Sequence, residues 1–168
     1  MFSHLTRITA LAWTCVTLTA ARHAEAQDSS FTAMQQRGRI AMGVDQYTSI
    51  HRFDDLPNGG RIELQRDHDD RVGVSAIRTH LRSVAKAFAA GDFSTPAFVH
   101  LRTVPGAVVL AHKHSAVRYV VRDLPRGAEL RIVTRDTTAR RAAHEFLAFQ
   151  RGEHRAAGSA LHHGHQKR

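Results

Sequence analysis

The stretch DLPNGGRIELQR, residues 55–66, decides the fold. Pro57-Asn58-Gly59-Gly60 is a turn signal, because Pro presets φ while Asn and Gly tolerate the positive φ of a tight reversal. Arg61 to Arg66 then alternates, with Ile62 and Leu64 on one face, the period-two pattern of a half-buried strand. Upstream, Tyr47 to Asp54 is β-branched and aromatic enough to be the partner strand, so the two runs form a hairpin. Downstream, Asp67 to Asp70 suits a helix N-terminus, where carboxylates meet unsatisfied N–H groups. From Val74 the apolar positions Ile77, Leu81, Val84, Ala85 and Phe88 share one helical face, and Gly91 ends the helix.

The same plan recurs. Asp123-Leu124-Pro125-Arg126-Gly127 repeats the turn, flanked by Ala116 to Asp123 (Val117, Tyr119 and Val121 on one face) and Glu129 to Thr134. Asp136 to His154 follows as a second amphipathic helix, with Ala139, Ala143, Phe146, Leu147 and Gln150 on a common face. Matching Arg66-Asp67 with Arg135-Asp136 needs a one-residue gap. The expected fold is α+β: a four-stranded antiparallel sheet with two long helices on one face, a ββα unit used twice. Between the units, Ser94-Thr95-Pro96 reads as the start of a short helix reaching Leu101, with a hydroxyl cap and Pro at the first helical position. Val104-Pro105-Gly106 breaks it, and Ala107 to Ser115 fits either helix or strand.

With 168 residues the chain suffices for one domain. Its one cysteine excludes a disulfide scaffold, a Cys-based zinc finger and a CxxCH haem attachment. Arg7, the apolar run from Ile8 to Ala21 and the small-x-small site Ala24-Glu25-Ala26 have the layout of a secretory signal peptide. The expected organisation is a signal peptide over 1–26, an N-terminal arm or short helix over 27–39, an α+β domain over 40–155, and a disordered His-rich tail over 156–168. The expected location is the bacterial periplasm or the medium. Cys15 lies inside the apolar run, without the sequence context of a lipidated cysteine. No other stretch is apolar enough to span a bilayer.

GxSxG, HExxH, P-loop and Rossmann patterns are missing, which argues against the corresponding enzymes. Histidine is the unusual feature, with 13 in the chain. His51 on the first strand, His80 on the first long helix, His100 near the short helix, and His144 and His154 on the last helix are candidate ligands for copper or zinc. Neutral imidazole suits either metal without help from Cys. None of these is paired at the i, i+4 spacing, so a metal site requires convergence in the fold; the alternative is ordinary histidines bonded to backbone or water. His112-Lys113-His114 would chelate only on a strand. In the tail, His162, His163 and His165 bind metal weakly by composition alone.

The net charge of +9 comes from 21 Arg and 3 Lys against 15 acids. The arginines are spread over every segment, with no compact basic block and no nucleic-acid-binding signature. Nucleic acid is therefore not an expected partner; an envelope polyanion is the alternative.

Ala41-Met42-Gly43-Val44-Asp45-Gln46, His51 with Phe53, Gly59-Gly60-Arg61-Ile62-Glu63, Gly91-Asp92-Phe93, Pro96, His100, Val104-Pro105-Gly106, Leu124-Pro125-Arg126-Gly127 and His144-Glu145-Phe146-Leu147-Ala148-Phe149-Gln150 together resemble a family of small exported bacterial proteins without an established activity. The resemblance covers about residues 31–155 and implies export and a single domain; it supplies no catalytic residues. In that family a second His often follows the position of His51 and a Met often follows that of His100. Arg52 and Leu101 stand there in this chain, departures that would weaken a copper site built on those positions. The expected function is a small exported binding or accessory protein that holds a transition metal through histidines.

Overall fold

A computed structural model describes residues 29–158. The expected signal peptide and the tail histidines 162, 163 and 165 lie outside these residues. The chain divides into two compact units between Ala33 and Met34, and the second contains everything described below. Residues 29–42 are helical (α1). In the second unit, Met34, Gln35 and Met42 of this helix are buried, so the domain begins earlier than the boundary expected at residue 40.

After a 3₁₀ turn at Gln46–Thr48 come strands β1 (Ser49–Leu56) and β2 (Gly59–Arg66), then helix α2 (Arg71–Ala89). Short helices α3 (Ser94–His100) and α4 (Ala107–His112) and a second 3₁₀ turn (His114–Ala116) lead to β3 (Val117–Leu124), β4 (Gly127–Thr134) and α5 (Thr137–Glu153). The sheet is antiparallel throughout, in the order β1-β2-β4-β3. The two hairpins therefore lie side by side, as the repeated turn motif implied.

Their register explains the glycines of both corners. Ile62 faces Leu130 at the centre, and each further pair maps onto its counterpart in the other hairpin: Gly59 faces Val133 as Gly127 faces Gln65. The hairpins are thus related by an approximate two-fold through the Ile62–Leu130 pair. A Cβ on Gly59 would sit 1.9 Å from the Ile132 carbonyl oxygen, and one on Gly127 2.0 Å from that of Leu64. Only glycine lets the central strands approach so closely.

Each long helix begins at an aspartate. Asp70 Oδ1 accepts from the Gly73 N–H at 3.0 Å, and Asp136 Oδ1 accepts from the Ala139 N–H at 2.9 Å. The structural counterpart of Asp136 is therefore Asp70 rather than Asp67. Helix α2 lies mainly over β3 and β4, and α5 over β1 and β2, so each unit's helix covers the other unit's hairpin. Leu130, Ile132, Ile77, Leu110 and Leu147 are completely buried between these layers. Burial of each such side chain stabilises the fold by roughly 1.5–3 kcal/mol. By strand alternation the opposite face of the sheet carries Arg52, Asp54, Arg61, Glu63, Arg118, Arg122, Glu129 and Arg131. There Arg61 bonds Asp54 at 2.5 Å and stands near Glu63 and Glu129, neutralising two carboxylates that face each other across the ladder.

Three local expectations change. Helix α3 is capped from outside: its N-cap is Phe93, which makes no side-chain cap, and Asp92 Oδ1 accepts from the Ser94 N–H at 2.8 Å. Pro96 is accordingly the third helical residue, not the first. The ambiguous segment is helical at Ala107–His112, where Leu110 is fully buried. The first tail residues are placed: the Phe53 N–H donates to the Ala157 carbonyl at 2.9 Å, which covers part of the β1 edge. No helix among the described residues is long and apolar enough to cross a membrane.

Candidate functional site

Strand alternation points His51 and Phe53 toward the helices, beside Leu64 and Ile62 of β2. Above them the layers do not close. A cavity of about 100 Å³ remains, bounded by the C-terminal part of α1, by α2 and α3, and by the end of α5. That is room for several waters or one compact molecule. His51, His80, His100 and His154 all line it, each from a different element. Its other polar walls are Gln35, Gln46, Thr95 and Gln150; the remainder is chiefly aliphatic and aromatic. Among the described residues, Asp, Glu, Lys and Arg are missing from its lining.

All four imidazoles are hydrogen-bonded, and for three of them the partners define which nitrogen is held. Gln46 forms a two-way clamp with His154: its Nε2 donates to the His154 carbonyl at 2.7 Å, and its Oε1 lies 2.8 Å from Nδ1. A carbonyl oxygen only accepts, so His154 carries its proton on Nδ1 and leaves Nε2 as a lone pair. Ser49 Oγ donates to the Asp45 carbonyl at 2.8 Å, so at 3.0 Å it accepts from His51 Nε2–H and leaves Nδ1 unprotonated. His100 Nε2 donates to Gln150 Oε1 at 3.1 Å. Its Nδ1 is buried without a hydrogen-bond partner among the described residues, 3.8 Å from a Glu153 carboxylate oxygen. The rings sit close together: the His154 ring centre is 5.1 Å from that of His100, 6.1 Å from His51 and 5.8 Å from Phe53.

Burial keeps these rings neutral. Desolvation lowers the pKa of His51 to about 4, aided by nearby His80. Desolvation likewise brings His154 down to about 3, with further repulsion from His100 and His51. His80 is lowered by burial despite a hydrogen bond to the Ala41 backbone. For His100, burial outweighs the opposing effects of Gln150 and Glu153. One donor completes the polar set: Gln35 Nε2, buried and unpartnered among the described residues.

His80 stands where the cavity meets the surface. An outer groove between α2 and α3 shares Ala41, His80, Val84 and Thr95 with the cavity and continues past Ser83, Ser94 and exposed Phe98. Ala41, His80, Val84 and Thr95 therefore mark the mouth, where cavity and groove meet.

The fifth candidate, His144, is elsewhere. Its Nε2 stands 3.0 Å from the Leu56 carbonyl and 2.9 Å from that of Gly59, so the ring ties α5 to the first hairpin corner. His112 and His114 are exposed on a helix and a 3₁₀ turn, and His114 Nδ1 bonds the Ala89 carbonyl, so the strand-type chelate is not formed. Among the described residues no three His, Cys, Asp or Glu side chains are grouped closely enough to hold a metal ion. Many arginines serve the fold. Arg78 donates to the Leu124 and Gly127 carbonyls, Arg82 bonds Asp123, and Arg151 ties α5 to Phe53 and Asp55 of β1.

Gln35, Gln46, Ser49 and Gln150 belong to the site; Gln46 and Gln150 stood in the quoted segments without a role, and nothing in the sequence marked Gln35 or Ser49. Comparison of the chain with family models, with curated proteins and with solved structures gives no match.

Proposed function

We propose that the chain is a small exported binding or accessory protein whose ligand occupies the histidine-lined cavity. One observation carries this reading. Four imidazoles from four elements converge on a single void, and His51 and His154 are each anchored by one nitrogen with the other left as a lone pair. A core built for stability alone would fill that volume, because unfilled space forfeits dispersion contacts and buried polar atoms without partners cost free energy. A surface groove leads to the void, as a binding site requires.

A transition metal is the second reading. Ring nitrogens fixed by hydrogen bonds to Gln46, Ser49 and Gln150 resemble the way metal-ligating histidines are oriented by a second partner. Three rings would have to move closer together for an ion to be shared. The envelope-polyanion alternative has less support, since many arginines are engaged by carbonyls and carboxylates.

The test is nuclear magnetic resonance of the tag-free protein from residue 27 onward, titrated with a panel of small organic molecules, with Zn²⁺ and Cu⁺, and with heparin. Binding in the cavity moves the ring signals of His51, His100 and His154 and leaves those of His144 unchanged. A response confined to surface arginines, with the four cavity rings silent to every probe, overturns the proposal.

A further inference from the structure

We infer that the cavity takes a small uncharged molecule bearing a hydroxyl group on an otherwise apolar ring or chain, a phenol-like ligand. The inference rests on the binding function proposed above and concerns the chemistry the walls can recognise.

Charge is the first discriminator. An ionised ligand loses its hydration on entering a void of this kind, and that loss is offset only by a fixed opposite charge or a dense set of hydrogen bonds. Among the described residues the lining contains no Asp, Glu, Lys or Arg, and burial disfavours the charged form of its imidazoles. A carboxylate would have to bring a proton with it, and an ammonium ion would find no carboxylate in the described lining. A bare metal ion would use only two or three of the nitrogens and leave the apolar walls uncovered.

Hydrogen-bonding capacity is the second. His51 Nδ1 and His154 Nε2 are acceptors only, once their other nitrogens are committed to Ser49 and Gln46. Neither has a hydrogen-bond partner among the described residues. Gln35 Nε2 is a donor only and is likewise unmatched. A hydroxyl answers both needs at once: its O–H donates to an imidazole and its oxygen accepts from the amide. A hydrocarbon satisfies neither, and an ether or ketone leaves the imidazoles unmatched.

Size and surface are the third. Phe53, Ile62, Leu81, Phe88, Val99 and Phe146 form the apolar walls. A void of ~150 Å³ lined by Leu, Ile and Phe takes up benzene in a protein engineered to contain it. The present volume of about 100 Å³ is of that order.

Phenol is the direct probe, with toluene as the same shape lacking the donor and benzoate as the same ring carrying a charge. Calorimetry and ring ¹⁵N spectra are recorded on the unmodified protein at neutral pH, with Zn²⁺ and Cu⁺ titrated separately. Phenol is expected to bind about tenfold or more tightly than toluene, as one hydrogen bond to a buried ring nitrogen implies. It should shift the unprotonated nitrogen of His51 or His154. His154→Phe and His51→Phe keep a ring in place and remove an acceptor; at least one should bring phenol and toluene to equal affinity. Ala41→Trp plugs the mouth from a helix surface and should abolish both.

Equal affinity for phenol and toluene in the unmodified protein overturns the hydroxyl inference while leaving a cavity-binding protein. So does tighter binding of benzoate, or of either metal with His51 and His154 signals moving. Silence of the cavity rings toward all five probes overturns the inference and removes support from the binding function itself.

Discussion

The hairpin Ser49–Arg66 and the hairpin Val117–Thr134 follow one backbone plan, with the same strand lengths, the same glycine corner and the same register across the two-fold. What faces the helices differs. In the second hairpin Leu130 and Ile132 pack to complete burial beneath α2. In the first, His51 stands where the second has Tyr119, and beyond it lies a void instead of a side chain. Both positions hold a polar ring. Tyr119 lies edge-on to Phe88 with its hydroxyl buried and unpartnered among the described residues. The His51 ring is held by Ser49 and opens onto three further imidazoles. Two copies of one scaffold thus differ in packing: one half of the core is filled, and the other keeps a looser arrangement around a cavity.

Acid should break this division most. His51 and His154 have folded pKa values near 4 and 3, below the ~6.5 of an unfolded chain. Between those limits the unfolded state binds more protons, so their contribution is intact above pH 6.5 and is lost as the pH falls. Each costs about 1.4 kcal/mol per pH unit, on the order of 5 kcal/mol for the two by pH 4.5. His80 and His100 act in the same direction. Urea unfolding from pH 8 to 4.5 measures the effect, and His51→Phe or His154→Phe should each remove a substantial part of it, less than half.

Truncation separates the halves next. Leu130→Ala, at the two-fold and fully buried, should cost about 3 kcal/mol or more in chemical denaturation. Val84→Ala, on the cavity wall, should cost about 1 kcal/mol and widen the site without abolishing phenol binding. His144→Leu removes a donor from two carbonyls at the hairpin corner and should cost about 2 kcal/mol while leaving ligand affinity unchanged. The smallest change is Tyr119→Phe. Deleting a buried hydroxyl without a partner should leave stability unaltered or raise it by about 1 kcal/mol, seen as a higher Tm.

The hairpins and long helices were legible in the sequence because each rests on local rules: alternation at Ile62 and Leu64, glycine at the corners, aspartate at the helix starts. The helix Ala107–His112 was not, since six residues carry little periodicity and Leu110 makes it helical only through burial. Four of the five histidines named from the sequence meet at one cavity. Their meeting depends on how α1, α3 and the end of α5 close over β1, a tertiary outcome with no repeat or motif to announce it. His144 illustrates the same limit in reverse: its position on α5 gave no sign that the hairpin carbonyls would claim it.

The proposed site requires His51 and His154 to be neutral rings, each anchored through one nitrogen, by Ser49 and by Gln46. A long-range ¹H–¹⁵N histidine spectrum of the ligand-free protein at pH 6 tests that directly. The expected result is a single protonated nitrogen on each, Nε2 for His51 and Nδ1 for His154, persisting as the pH is lowered to 5. Imidazolium signals at pH 6, or the opposite tautomers, would contradict it.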